Sequence, residues 1–111
     1  MLDTGASQTC VDPIIIKNLG LTPTGVSLMQ TPSTNGIPAY CNTYDIQLTI
    51  PPSILPSEVL NPALNMPYIR ILNVIEASLS QQGISGLIGR DVLKECLLIY
   101  NGRVEGFTLS W

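Results

Sequence analysis

The chain begins with Leu2-Asp3-Thr4-Gly5-Ala6-Ser7, a motif that constrains the fold more than any other part of the sequence. A carboxylate, the candidate acid/base group, follows a hydrophobic residue and precedes Thr-Gly. Gly5 lacks a Cβ and therefore allows backbone to approach a bound molecule closely. The tripeptide alone also fits an ordinary turn, because Asp and Gly both favour turns for local reasons. A second motif is needed to decide between these interpretations.

That second motif is Gly86-Leu87-Ile88-Gly89-Arg90-Asp91-Val92-Leu93, near the end of the chain. It consists of two hydrophobic residues and a glycine, then Arg-Asp at the start of a predicted helix. Together with the first motif and Leu19-Gly20-Leu21, it makes the chain resemble the retropepsins, the single-domain aspartic proteases of retroviruses and their bacterial relatives. The bacterial branch is the more similar one, and the resemblance extends over residues 2–111.

The resemblance implies a fold. We expect an all-β, single-domain retropepsin-like acid protease over residues 1–111, closed and barrel-like, with one or two short helices. The strand around Leu87-Ile88-Gly89 is expected to thread behind the loop that carries Asp3. Relatives place a β-hairpin before this loop, and no counterpart of it precedes Leu2. The sequence is therefore expected to be N-terminally truncated.

The resemblance also implies an activity, that of an aspartic endopeptidase. The chemistry needs two carboxylates that share one proton, whereas the chain has one such loop. We therefore expect a homodimer in which the two Asp3 side chains activate a water against an extended polypeptide substrate. The alternative is a catalytically inactive domain of this kind, kept for dimerisation or peptide binding, and the missing hairpin favours it. Half of a two-lobed pepsin-like chain is a third idea, but 111 residues leave no room for a second lobe.

Individual residues receive roles on the same basis, and no metal or cofactor is expected. Phe107, Leu109 and Trp111 alternate on one face of a terminal strand whose open edge needs a partner. Arg90 lacks the acidic partner of viral relatives, so we expect it to bond backbone carbonyls or Asp12. The expected site consists of catalytic Asp3; supporting Thr4, Gly5 and Ala6; substrate-binding Gly5, Ser7, Asn35 and Gly36; and dimer-interface Thr4, Phe107, Leu109 and Trp111.

Composition narrows the classes of function. Hydrophobic residues make up 45% of the chain and charged residues 12%, so part of the apolar surface is expected to be covered by a second copy. A net charge of -3 and a pI of about 4.5 argue against nucleic-acid binding. Three cysteines without paired spacing and no histidine argue against zinc and against Ser-His or Cys-His nucleophiles. No apolar segment is long enough to span a membrane, and no signal peptide is recognisable, which predicts a cytoplasmic location.

Local patterns predict the order of elements. Asp12, Pro13 and Gly20 are suited to the start and end of a helix over residues 14–18. Residues 26–50 are predicted to form a hairpin with a turn ending at Asn35-Gly36, and its second strand alternates strictly from residue 44 to 50. We further predict a loop over 51–67, a strand over 68–79 with Ile69, Ile71, Val74 and Ile75 in the core, a helix over 91–97 and a final hairpin.

Overall fold

A computed structural model describes residues 1–30, 36–52 and 66–111, and it shows a mostly β protein with two short helices. One turn of 3₁₀-helix at Ser80–Gln82 precedes the late Gly-rich motif. In chain order the elements are β1 (Cys10–Val11), α1 (Pro13–Leu19), β2 (Gly25–Met29), β3 (Ala39–Ile50), β4 (Tyr68–Glu76), β5 (Gly86–Leu87), α2 (Arg90–Leu93), β6 (Leu97–Asn101) and β7 (Gly106–Ser110).

The strands form two sheets. Five strands pair in the order β2-β3-β4-β1-β5, with β1 parallel to β4 and the other pairs antiparallel. The last two strands form a separate two-stranded sheet, the C-terminal hairpin. The expectation of a closed barrel is wrong for the residues that the structure describes. A barrel needs its edge strands to pair with each other, but here β2 and β5 remain opposite edges of an open sheet.

The large sheet carries a hydrophobic cluster on each face. Val74 and Ile75 are adjacent on β4, so their side chains point to opposite faces, and both are buried. Ile75 packs with Cys10 and Leu79 on one face, and Val74 with Ile16 and Tyr44 on the other. The alternation predicted for residues 44–50 is confirmed.

The prediction that Ile69 and Ile71 lie in the core is wrong. Their side chains are 58% and 75% exposed. Both side chains lie on the same face of β4 as Ile75, but farther along the strand than the hydrophobic cluster around Ile75. Their partners on β3 are the polar residues Thr49 and Gln47. The other two predicted positions, Val74 and Ile75, are in the core, as expected.

Helix α1 begins and ends where its capping residues predict. The side chain of Asp12 accepts a hydrogen bond from the amide of Ile14 at 2.9 Å, and Gly20 ends the helix in the left-handed conformation with a φ of 65°. The carboxylate of Asp12 also accepts hydrogen bonds from the amides of Leu79 and Ser80, each at 2.8 Å. One buried side chain thus joins the helix to the turn after β4.

The second helix is shorter than predicted. It covers Arg90–Leu93, and Leu97 already belongs to β6 with its side chain 61% exposed. The predicted final hairpin is confirmed as β6 and β7. Among the residues with described structure, we find no helix of the length and apolarity needed to cross a membrane.

We expect acid to weaken the fold partly through Asp12. Hydrogen bonds from the amides of Ile14 and Leu79 lower the pKa of this carboxyl in the folded protein. A lowered pKa stabilises the fold above the unfolded-state pKa of about 3.9, and this contribution is lost as the pH falls through the folded-state pKa. Asp12→Asn should therefore have a lower Tm at pH 7, and its deficit relative to the parent should stay constant down to about pH 5 and shrink only as the pH falls below about 4. Circular dichroism melts between about pH 2 and 7 measure this difference.

Glu105→Gln, which removes an exposed carboxylate from the turn between β6 and β7, is the control and should leave the Tm unchanged across the range. A deficit of Asp12→Asn that stays constant down to about pH 2 would contradict the explanation.

Candidate active site

Asp3 is held beside the late Gly-rich motif by backbone hydrogen bonds. The amide of Asp3 donates to the carbonyl of Ile88 at 2.9 Å, and the amide of Ile88 donates to the carbonyl of Met1 at 2.7 Å. Leu2 and Ile88 form a parallel β-bridge. The strand expected next to the candidate catalytic loop is therefore present. We call residues 3–9 the carboxylate loop and residues 88–91 the bracing segment.

The carboxylate loop begins with a tight turn that orients the side chain of Asp3. The amide of Gly5 donates to Oδ1 of Asp3 at 2.9 Å, and the amide of Ala6 donates to the carbonyl of Asp3 at 3.3 Å. A Cβ on Gly5 would lie only 3.2 Å from Oδ1 of Asp3, so glycine keeps the space beside the carboxylate open. Thr4 is exposed, and its hydroxyl makes no hydrogen bond within the described ranges.

Thr9 and Asp91 hold the far end of the loop, a role that was not predicted for either residue from the sequence. The amide and hydroxyl of Thr9 donate to the Asp91 carboxylate at 3.0 and 2.8 Å, and the hydroxyl accepts from the amide of Gly89 at 3.1 Å. Thr9 is 3% exposed, so these groups are satisfied within the protein. The sequence signal that could have indicated this role is the position of Asp91 directly after Arg90 in the late motif. The short side chain of an aspartate can accept hydrogen bonds from backbone amides.

Arg90 contributes through its backbone. Its amide donates to the carbonyl of Ala6 at 2.9 Å, while its side chain is exposed. Its side chain was expected to bond backbone carbonyls or Asp12, and within the described residues it bonds neither; the carboxylate of Asp12 accepts from the amides of Ile14, Leu79 and Ser80.

Gly89 allows the bracing segment to lie against the loop. A Cβ at this position would lie 2.6 Å from both the carbonyl carbon and the carbonyl oxygen of Gln8. Such a distance to backbone is impossible without displacement of one of the two segments. The φ of Gly89 is negative, so any residue could adopt its backbone conformation. Glycine is therefore needed here only because the two segments approach so closely.

A cleft of about 980 Å³ lies beside Asp3. Its lining includes Asp3, Gly5, Ala6 and Ser7 of the carboxylate loop together with residues of the β2–β3 hairpin and of the turn after β4. Gly36 is outside this lining, and its carbonyl accepts a hydrogen bond from Nε2 of Gln30 at 3.1 Å. Asn35 lies outside the described residues.

Cys10 lies in the cleft lining but is a poor nucleophile. Burial, and then the negative charge of Asp91, raise the pKa of the Cys10 thiol to about 11. The thiol is therefore protonated at neutral pH and behaves as a small apolar group. In the described part of the chain, no cluster of three or more potential metal ligands occurs.

The residues expected at a dimer interface lie on the C-terminal hairpin and on the carboxylate loop. Phe107 is 61% exposed and, with Leu98 and Tyr100, faces Met1 and Leu2 across an apolar groove of about 490 Å³. Leu109 is half-buried next to Leu98 on the same face. Trp111 contacts its own chain: its Nε1 donates to the carbonyl of Met66 at 2.9 Å, and its ring packs edge-on against Tyr68 at 6.1 Å.

Comparisons of the chain with protein-family models, with curated proteins and with solved structures find no match.

We expect Gly89→Ala to destabilise the protein by about 1–3 kcal/mol, a typical cost of inserting a methyl group into a packed site. The added methyl group must push the backbone of Gln8 away and with it the carboxylate loop. Denaturant unfolding measures the loss. Gly102→Ala is the matched control, because its Cβ would meet only Tyr100 at an ordinary 3.5 Å. Equal stability of the two variants would contradict the close approach described for Gly89.

Proposed function

We propose that this protein is an aspartic endopeptidase that acts as a homodimer, with Asp3 as the catalytic carboxylate of each chain. The observation that carries the proposal is the placement of Asp3: its loop is fixed at both ends by the bracing segment, and its residues line a cleft of about 980 Å³. A carboxylate in a fixed position beside a cleft of this size is suited to acid/base chemistry on a bound molecule.

The proposal requires a second copy because each chain supplies one carboxylate loop. Two loops related by a two-fold axis would bring the two Asp3 side chains together in an isologous contact. Thr4 is exposed, next to Asp3, and its hydroxyl lacks a partner within the described part of the chain. It is therefore available to the loop of the other protomer. Phe107 and its neighbours on the C-terminal hairpin supply exposed apolar surface for the same contact.

In the proposed reaction, two adjacent carboxyl groups share one proton because both cannot ionise at close distance. The ionised Asp3 takes a proton from a water molecule while the oxygen of that water adds to the scissile carbonyl carbon. The protonated Asp3 gives its proton to the carbonyl oxygen, which forms a gem-diol. One Asp3 then protonates the amide nitrogen, the C–N bond breaks, and the other Asp3 takes the proton of a gem-diol hydroxyl. The pair returns to one shared proton.

An extended polypeptide is the proposed substrate. The cleft is lined both by residues of the carboxylate loop and by residues of the β2–β3 hairpin. Extended peptides bind such surfaces through main-chain hydrogen bonds, and pockets select alternate side chains. Gly5 and Ser7 are the proposed contacts on the loop side. Asn35, which lies outside the described residues, and Gly36, which is outside the cleft lining of the single chain, stay predictions as further substrate contacts.

The assignment of Asp3 is tested by Asp3→Asn, which keeps the shape of the side chain and removes its acid/base function. Cleavage of casein or of a peptide library should fall by at least about a hundredfold, as expected when a group acting in acid/base catalysis is removed. Binding of pepstatin should weaken while the circular dichroism spectrum stays unchanged. Asp45→Asn is the matched control, since Asp45 is exposed on β3 and outside the cleft.

Cleavage by Asp3→Asn at the parent rate would overturn the assignment. Pepstatin binding by a parent protein that cleaves no peptide would favour the inactive peptide-binding domain instead.

Dimerisation through the C-terminal hairpin is tested by Phe107→Glu. The side chain is 61% exposed and borders the apolar groove, so a charge there should destabilise an interface more than the folded monomer. We expect sedimentation to shift to the monomer and proteolytic activity to fall in parallel. Ile71→Glu, at a position that is 75% exposed on β4, should leave the dimer intact. An unchanged dimer in Phe107→Glu would place the interface elsewhere.

A further inference from the structure

We propose that Arg70 is a positioning residue for the candidate catalytic carboxylate and that it acts by fixing helix α2, which in turn holds the carboxylate loop. The proposal rests on the proposed function, because it assigns Arg70 a part in the same site. Arg70 lies on β4, outside both motifs and outside the cleft lining.

The guanidinium of Arg70 contacts α2 and Glu95, which follows the helix. Its Nη1 donates to the backbone carbonyl of Asp91 at 3.3 Å and also forms an ion pair with Glu95. Asp91 lies in the first turn of the helix, and Glu95 follows its end. A helix of four residues is too short to be stable by its own hydrogen bonds. Its position therefore depends on tertiary contacts, which include the fully buried side chain of Val92 and the two contacts of Arg70.

The position of α2 matters because Asp91 holds the carboxylate loop. The carboxylate that accepts from the amide and hydroxyl of Thr9 belongs to the residue whose carbonyl Arg70 binds. A shift of the helix would therefore move Thr9. It would also move the backbone of Arg90, which donates to Ala6. Both contacts lie within the loop that begins at Asp3.

Glu95 is itself fixed from a second direction. The hydroxyl of Tyr68 donates to its Oε2 at 2.9 Å, and this hydrogen bond, with the charge of Arg70, lowers the pKa of Glu95. Glu95 is therefore ionised at neutral pH. The ring of Tyr68 packs against Trp111 at the end of the chain. Arg70 thus joins β4 and α2 at a point where the C-terminal end also packs.

Two acceptors at different positions explain why arginine stands here. Both contacts are made by Nη1, whose N–H groups are held in the plane of the guanidinium, whereas a lysine ammonium lies at the end of a flexible stem and is not held in one orientation. Arg70→Lys should therefore keep the ion pair and weaken the contact with the carbonyl of Asp91. Arg70→Met removes both contacts and keeps most of the apolar stem.

Three measurements on the full chain test the proposal: amide hydrogen exchange at Thr9, kcat and KM on a cleaved peptide, and sedimentation. In Arg70→Met, exchange at Thr9 should rise and kcat should fall, each roughly tenfold, because small displacements of a catalytic group are costly. We expect the dimer to be unchanged and KM to stay within about twofold of the parent, since misplacing the carboxylate affects mainly the chemical step.

The values for Arg70→Lys should lie between those of the parent and those of Arg70→Met. Arg103→Met, in the exposed turn after β6, is the matched control and should leave all three unchanged.

Unchanged exchange at Thr9 in Arg70→Met would overturn the proposal, as would an equal rise at the core amide of Val74, which indicates general destabilisation. If Arg70→Met does not fold, Glu95→Gln removes the ion pair with little change in shape, and the same selective rise at Thr9 is expected. A parent protein that cleaves no peptide would contradict the proposed function alone, because the exchange measurement still decides whether Arg70 holds the loop.

Discussion

The structure of the candidate site depends on one set of contacts, those between the carboxylate loop and the bracing segment. Backbone of Asp3 and Ala6 is held by Ile88 and Arg90, and Thr9 is held by the side chain of Asp91. The bonds at Asp3 and Ala6 join main-chain groups, which cannot rotate away, whereas those at Thr9 involve side chains. The position of Asp3 is therefore fixed by the path of the chain, and the side chain needs only the amide of Gly5 to orient it.

Local chemistry allowed much of the fold to be predicted. Asp12 and Gly20 have strong preferences for helix ends, and both act there. Alternating residues on β3 showed which face is buried. The strand around Ile88 was also predicted, although its pairing with the carboxylate loop is not a local property. That prediction came from the resemblance of the two motifs to retropepsins, and the hydrogen bonds of Asp3 and Ile88 agree with it.

Predictions failed where burial depends on distant parts of the chain. Ile69 and Ile71 alternate in the same way as buried strand residues, yet they pair with polar residues of β3 and are exposed. The expected closed barrel failed for a related reason, since edge pairing is a property of the whole sheet. The role of Asp91 in holding the carboxylate loop was not predicted, because its partner Thr9 is 82 residues away in the sequence. Periodicity and capping preferences carry no information on such a pair.

The length of this separation has a consequence for folding. The groups that place Asp3 come from the first nine residues and from residues 88–91, so the loop cannot adopt its final position while only the first part of the chain exists. During synthesis, which proceeds from the N-terminus, Asp3 is made well before the residues that place it. Contacts of such high sequence separation also slow folding. A chain interrupted before Ile88 would therefore carry the complete first motif without the partners that fix it.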